Sequence, residues 1–239
     1  MPQDIILSFC IPIYNESAIL ERQLKKIETG LSELIGKDSF EILISDNGST
    51  DNTSQILEKL KSKTLKKFQI TKRGHGGAYR ECIKNARGKW IMLSAIDLPF
   101  GFDDLKEALK ISDNYDIIFG SKRHPLSEVT VPITRKAASL FYSLLLMLFF
   151  QNKVRDTQGT ILVRNTAIKR ILSKCTAPNA FFTAQIAIYA KRGNLKIAEI
   201  PVRYNSKKNV RKSKYNIIKD GGQMLSSVLK EYYLLHKSS

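Results

Sequence analysis

Two rhythms of apolar residues alternate along the first half of the chain. Short unbroken runs, IILSFCIPIYN (5–15), FEILIS (40–45), KKFQIT (66–71) and KWIMLSAID (89–97), read as buried strands. Between them, SAILERQLKKIETGLSELI (17–35) places Ile19, Leu20, Leu24, Ile27, Leu31 and Leu34 at helical spacing. STDNTSQILEKLKSK (49–63) opens on residue types that cap helix N-termini, and GGAYRECIKNARG (76–88) reads as a third helix closed by Gly88. DDLKEALKIS (103–112) and YDIIFGS (115–121) repeat the alternation. The pattern predicts an α/β fold, a mostly parallel Rossmann-like sheet flanked by helices. In such sheets ligands bind beyond the carboxyl ends of the strands. There the sequence sets Asn15 and Glu16, then Asp46 and Asn47, then Asp97.

Beyond residue 125 the rhythm changes. It predicts a long helix over 133–151, a strand TILVR (160–164), helices over 166–174 and 180–192, and the extended LKIAEIPVRYN (195–205). No linker rich in Pro, Gly or Ser divides the chain, which reads as one domain over 1–239. The apolar run LFYSLLLMLFF (140–150) would span roughly 16 Å as a helix, about half of a ~30 Å hydrocarbon core, and is expected not to cross a membrane. RYNSKKNVRKSK (203–214) holds six basic and no acidic residues and reads as a mobile basic loop. YNIIKDGGQMLSSVLKEYYLLHK (215–237) reads as an amphipathic helix broken at Gly221 and Gly222.

Charge narrows the partners. Lys and Arg number 39 against 22 Asp and Glu, a net +17 with a pI near 9.8, which favours nucleic acid, acidic lipid or phosphorylated small molecules. Acids on the rim, without an aromatic-interleaved platform or zinc-finger spacing, argue against nucleic acid. The three cysteines are far apart, which suggests neither a disulfide framework nor a zinc site and fits a reducing cytoplasm. Asp4 and the lack of a basic leader make the apolar start a strand rather than a secretory signal.

Seven short motifs then occur in order: IPIYNE (11–16), DNGSTD (46–51), GHGGA (74–78), AID (95–97), GSKR (120–123), EIPVRY (199–204) and RKSK (211–214). Taken singly they have bland readings; IPIYNES can simply end a strand and cap a helix, and SDNGSTDNT can be a turn with its N-cap. As an ordered set the chain resembles the family 2 glycosyltransferases of the GT-A fold, in particular the dolichyl- or polyprenyl-phosphate hexose synthases. The resemblance implies a nucleotide-sugar-binding half over 1–125 and an acceptor- and membrane-facing half over 126–239. It implies that Pro12, Tyr14 and Glu16 line the nucleoside pocket and that Asp46 holds the base or ribose. The glycine-rich turn at Gly76 would bring backbone to the diphosphate. Ala95 and Asp97 stand where the family's D-x-D binds Mg2+ or Mn2+.

The departures are as informative. Ala95 and Pro99 replace two oxygen-bearing side chains, leaving Asp97 as the single metal ligand, so the cation is expected to be weakly held or dispensable. Asn47 replaces the second acid of D-D-G-S, Gln185 stands where a glutamate is common, and Lys208 and Arg211 replace the loop's usual arginine and glycine. A lipid phosphate acceptor is already anionic, so the demand falls on stabilising the leaving diphosphate. Asp97, Lys122, Arg123, Arg135, Lys208, Arg211 and Lys214 are the candidate catalytic residues. The implied reaction is inverting transfer of a hexose from a UDP- or GDP-linked sugar to a polyprenyl phosphate. Its expected place is the cytoplasmic face of a membrane, with RKAASLFYSLLLMLFF lying in the interface and a further protein as a candidate membrane anchor. A second reading keeps the fold as a nucleotide-binding protein or partner subunit with little transfer activity.

Overall fold

The computed structural model describes residues 4–70, 73–206 and 217–237. In chain order the elements are β1 (Leu7–Ile13), α1 (Leu20–Ile35), β2 (Phe40–Asp46), α2 (Thr53–Lys59), β3 (Leu65–Gln69), α3 (His75–Asn85), β4 (Trp90–Leu93), α4 (Asp103–Ile111) and β5 (Ile117–Ser121). They continue with β6 (Glu128–Thr130), α5 (Ile133–Phe150), β7 (Ile161–Arg164), α6 (Asn165–Ile171), α7 (Phe181–Arg192), β8 (Ile197–Pro201), β9 (Arg203–Asn205) and α8 (Ile217–Lys237). Among the described residues the main sheet has seven strands in the order β3-β2-β1-β4-β7-β5-β8, and β6 pairs with β9 in a small second sheet. Of the seven, only β7 runs against its neighbours. It comes from the second half of the chain and inserts between two strands of the first.

Each sheet face is covered, as the near-continuous apolar strands require. On one side α1 buries Leu20, Leu24, Ile27 and Leu31, beside Leu105 and Ala108 of α4. On the other, Cys82 and Ile83 of α3, Ile168 of α6 and Phe181 and Phe182 of α7 pack over Leu43, Leu93 and Phe119. Full burial of each large side chain contributes roughly 1.5–3 kcal/mol.

Several expected boundaries move. The fourth strand ends at Leu93 rather than 97; Ile96, Leu98 and Phe100 are buried at every second position but lie in consecutive turns, Leu98 N–H to Ala95 O (3.1 Å) and Gly101 N–H to Leu98 O (3.0 Å). Alternating burial there comes from a loop folded over the core, with Leu98 at φ 48°. Arg203–Asn205 form a strand, so the expected basic loop begins later; its remainder, 207–216, lies outside the described residues. Gly221 and Gly222 do not break α8, which runs continuously over 21 residues. The apolar run is part of an 18-residue helix, about 27 Å at ~1.5 Å per residue, which corrects the expectation that it is too short to cross a bilayer. Leu146 is nonetheless buried and Tyr142, Phe149 and Phe150 pack against the core, so one side of α5 lies on the domain.

At the amino-terminal edge of the sheet, Glu41 is 2% exposed and accepts from Ser8 Oγ (2.7 Å), Arg87 N–H (2.6 Å) and Arg87 Nε (3.1 Å), with Lys66 Nζ at 2.8 Å. Burial alone would raise its pKa; the hydrogen bonds from Lys66, Ser8 and Arg87 outweigh it and hold the carboxyl below its ordinary range. A depressed folded pKa stabilises above the unfolded value of ~4.3 and is lost as pH falls below it. Glu41→Gln is expected to cost about 1–3 kcal/mol in denaturant unfolding at neutral pH, with the deficit shrinking under acid conditions. Equal stability of the two proteins at neutral pH would contradict this account.

Candidate active site

The carboxyl ends of β1, β2, β4 and β5 share one rim, and because β7 is reversed its amino-terminal end, with the loop 155–160, lies there too. The first two loops of the rim are sewn together. Asn15, at φ 54°, accepts the Thr50 N–H (2.7 Å) and donates to Thr50 Oγ1 (3.1 Å), while its own N–H reaches Ser49 Oγ (2.9 Å). Glu16 N–H donates to Thr53 Oγ1 (2.7 Å). Asp51 joins both loops, accepting Ser17 Oγ (2.7 Å) and the Thr53 N–H (3.0 Å) at the start of α2. Partial burial opposes ionisation, but these hydrogen bonds from Thr53 and Ser17 prevail and hold its carboxyl at about 2.

Asp46 lies beneath, 1% exposed, with Oδ1 accepting Ser49 N–H (3.0 Å) and Oγ (2.6 Å) and Oδ2 accepting Ser54 Oγ. Any ribose reaching it has to share oxygens that already shape the turn. Asn47 accepts the Gly74 N–H at 2.6 Å and so fastens the β2 turn to the glycine-rich turn. Pro12 and Tyr14 are half-buried beside it, and Arg73 lies over the Tyr14 ring, 3.8 Å from its centroid. Gly76 is placed differently from expectation. It is buried, its N–H donates to Pro178 O (2.9 Å), and a Cβ there would stand 2.2 Å from Ala177 O. Its glycine character serves close packing, and its amide faces protein rather than the rim.

Asp97 and Ala95 are half-buried on the loop after β4, which Tyr79 of α3 holds through a hydrogen bond to Ser94 O (3.1 Å). Phe100 of the same loop meets Tyr204 edge-on, ring centroids 6.0 Å apart, and lies 5.8 Å from Lys122 Nζ. The A-I-D, G-S-K-R and E-I-P-V-R-Y segments therefore converge. Lys122 is already paired: its Nζ is 3.3 Å from Asp156 Oδ2, and its N–H donates to the same oxygen (3.0 Å). Glu199 in turn accepts the N–H groups of Arg155 (3.0 Å) and Asp156 (3.4 Å). Arg123 donates to Ser139 O in α5 (3.3 Å), and Arg135 lies in the first turn of that helix, half-buried. Lys208, Arg211 and Lys214 lie outside the described residues.

Asp51, Asp156, Glu199 and Arg73 are rim residues that sequence reasoning left without a role. The signal available for Asp156 was DTQGT immediately before a strand; its meaning depends on that strand being reversed, which no local pattern reveals. Gly159 marks the same point, since a Cβ there would stand 1.8 Å from Gly120 O.

This geometry is that of a GT-A glycosyltransferase fold, and comparison with known proteins places the chain within it. The profile of Glycosyl transferase family 2 matches residues 8–172, and the chain belongs to that family. Glycosyltransferase AglD of Haloferax volcanii is 25% identical over 235 residues, covering 96% of this chain and 37% of its own length. Dolichyl-phosphate beta-glucosyltransferase of Saccharomyces cerevisiae is 28% identical over 227 residues, covering 85% of this chain and 68% of its own. The chain thus spans about a third of the first relative and two thirds of the second. Among solved structures, glucosyl-3-phosphoglycerate synthase from Mycobacterium tuberculosis, in complex with Mn2+, UDP and phosphoglyceric acid, superposes with a TM-score of 0.67 at 17% identity, over 95% of this chain and 77% of that one. Staphylococcus aureus TarS 1-349 with UDP-GlcNAc superposes at 0.54 and 18% identity, over 87% and 62%.

The donor set for a metal is thin. Among the described residues no group of three or more His, Cys, Asp or Glu gathers at one point, and Ala95 and Pro99 offer Asp97 no side-chain help. One carboxylate fits an Mg2+ or Mn2+ that arrives with nucleotide phosphates and keeps several waters, rather than one the protein holds unaided. Ala95→Asp is expected to tighten Mn2+ binding about tenfold or more, read by titration in the presence of nucleotide; unchanged affinity would refute Asp97 as the ligand.

Asp104 is 4% exposed in the first turn of α4, where its Oδ2 accepts the Thr160 hydroxyl just before β7. Burial pushes its carboxyl up to about 6, against the hydrogen bonds from Thr160 and the Leu105 N–H. A raised carboxyl pKa means the folded state takes up a proton first, so this group's contribution to stability grows as pH falls from ~6 to ~4. Asp51 acts oppositely, its contribution being lost below ~4. Melting curves should show wild type gaining on Asp104→Asn as pH is lowered from ~7 to ~5; parallel curves would contradict the assignment.

Proposed function

We propose that the protein is a glycosyltransferase that moves a hexose from a nucleoside-diphosphate sugar to a polyprenyl phosphate at a membrane surface. The observation that carries the reading is the gathering of Tyr14, Asp46, Asp97 and Lys122 on one rim, from four segments separated in sequence, in a chain of this family. Relatives named as dolichyl-phosphate beta-glucosyltransferases support the lipid acceptor, and fold neighbours solved with UDP support a nucleoside-diphosphate donor.

In this reading the rim turns seat the nucleoside beside Tyr14 and Asp46. A phosphate oxygen of the acceptor attacks the anomeric carbon on the face opposite the nucleotide. The bond to the diphosphate breaks, and configuration inverts. No proton has to be removed from the acceptor. Developing charge on the leaving diphosphate is met by cations: Lys122, with Asp156 holding its ammonium in place, Arg123 and Arg135 at the base of α5, and Lys208, Arg211 and Lys214 of the basic segment. A divalent ion at Asp97 supplies further charge neutralisation when bound.

The membrane side of the proposal rests on α5 and α8. They pack together, Phe149 against Tyr232 at 5.0 Å, and turn outward Leu140, Phe141, Leu144, Met147 and Leu148 from one helix and Leu225, Leu229, Tyr233 and Leu234 from the other. Exposed apolar residues on two helices packed together mark an interaction surface, and the net +17 favours anionic lipid. The single carboxylate at the D-x-D position favours the second reading, a nucleotide-binding subunit with little turnover.

Labelled hexose should pass from a UDP- or GDP-sugar into the organic phase when polyprenyl phosphate is present. Failure of every donor to transfer would overturn the enzymatic reading, and nucleotide binding without transfer would favour the second. Leu148→Glu combined with Leu229→Glu is expected to weaken sedimentation with anionic vesicles at least about tenfold, roughly 1.4 kcal/mol; undiminished binding would exclude this face.

A further inference from the structure

The inward stripe of α8 reads Met224, Val228, Glu231, Leu235, and its acid is only 5% exposed. Glu231 Oε2 accepts Gln185 Nε2 at 2.7 Å, and Oε1 accepts the Tyr189 hydroxyl. Gln185, 1% exposed in α7, uses its remaining oxygen to accept the Ala177 N–H at 2.7 Å. An amide does both at any pH; an ionised glutamate at this position would set carboxylate against carboxylate.

The segment that Gln185 holds is the one that packs on the glycine-rich turn. A Cβ on Gly76 would stand 2.2 Å from Ala177 O, Pro178 O accepts the Gly76 N–H at 2.9 Å, and a Cβ on Gly74 would stand 2.6 Å from Pro178 O. Asn179 ties the same segment directly to α8 through Nδ2 to Ser227 Oγ (2.9 Å). On its far side the turn is fixed by Asn47, whose oxygen holds the Gly74 N–H. A continuous line of close contacts thus runs from the helix with an exposed apolar face to the turn beside the β2 rim loop.

We propose that Gln185 and Glu231 form a positioning latch: the docked α8 sets residues 177–178, these set the turn at 74–76, and nucleotide affinity depends on the latch being closed. The functional half of this rests on the reading of that turn as part of the nucleotide site. Both are buried between α7 and α8 and are assigned a positioning role rather than a contact with substrate. Their exchange is the informative variant, because Gln185→Glu with Glu231→Gln can re-form all three hydrogen bonds. The carboxylate, now on α7, accepts from the Ala177 N–H and from the amide now on α8, and that amide's oxygen accepts from the Tyr189 hydroxyl.

Hydrogen exchange of the full chain and titration with UDP and GDP test it together. In Gln185→Glu the Gly76 amide should exchange about tenfold faster and nucleotide should bind about tenfold more weakly, ~1.4 kcal/mol; the double variant should return both to within about threefold of wild type. Two facing carboxylates share a proton, so the single variant's defect should also shrink toward pH ~5. If Gln185→Glu does not fold, Gln185→Met removes both of its hydrogen bonds without adding charge, and the same two readouts apply. Faster exchange in α8 with Gly76 unchanged would overturn the latch, as would a double variant no better than the single. If wild type binds neither nucleotide, the nucleotide reading fails while the exchange arm still decides the latch.

Discussion

The structure depends on how two loops, leaving adjacent parallel strands, are made into one body. The loops after β1 and β2 are short, mostly polar and largely half-buried, and neither has an apolar core of its own. Asn15, Ser17, Ser49, Thr50, Asp51 and Thr53 satisfy one another's hydrogen-bonding groups across the gap. Each contact is worth only about 1 kcal/mol net, but they are mutually consistent and fix backbone that would otherwise cost entropy to order on ligand binding. Asp51, ionised well below neutral pH, is their hub. Asp46 beneath them shapes the turn, and Asn47 extends the same scaffold to the glycine-rich turn.

The second half of the chain completes the rim by reversing one strand. With β7 antiparallel, Asp156 arrives from the opposite direction to every acid of the first half and meets Lys122 at the end of β5. Glu199, from the strand on the sheet's far edge, holds the turn that carries Asp156. The E-I-P-V-R-Y segment thus acts through support: Glu199 under the Asp156 turn, Tyr204 against Phe100. Its continuation is the basic segment, and β9 fixes where that begins.

The sheet and the helices on each face were legible from the two apolar rhythms because parallel strands buried on both sides leave little room for other residues. Motif order located the rim, since strand ends set where polar residues interrupt those runs. What the sequence did not reveal depends on contacts between distant segments. The apolar alternation Ile96, Leu98, Phe100 looks like strand and is a folded loop, because burial there is decided by packing from above rather than by pairing. Gly221 and Gly222 carry a helix penalty of about 1 kcal/mol each against Ala, too little to break a helix whose inward stripe, Met224, Val228 and Glu231, is buried on the domain. The packing of Gly76 on the backbone of residues 177–178 is set by a segment a hundred residues away, and Gln185 takes its meaning from a carboxylate 46 positions away.

The central claim is that the interlocked turns of β1 and β2 form a preorganised nucleotide seat. Amide-resolved NMR during titration with UDP and with GDP, in the presence of Mg2+, tests it most directly. Saturable shifts confined to residues 12–17, 46–51, 73–78 and 95–100, with one nucleotide preferred, are the expected result. Shifts scattered over the basic surface without saturation, or none with either nucleotide, would contradict it.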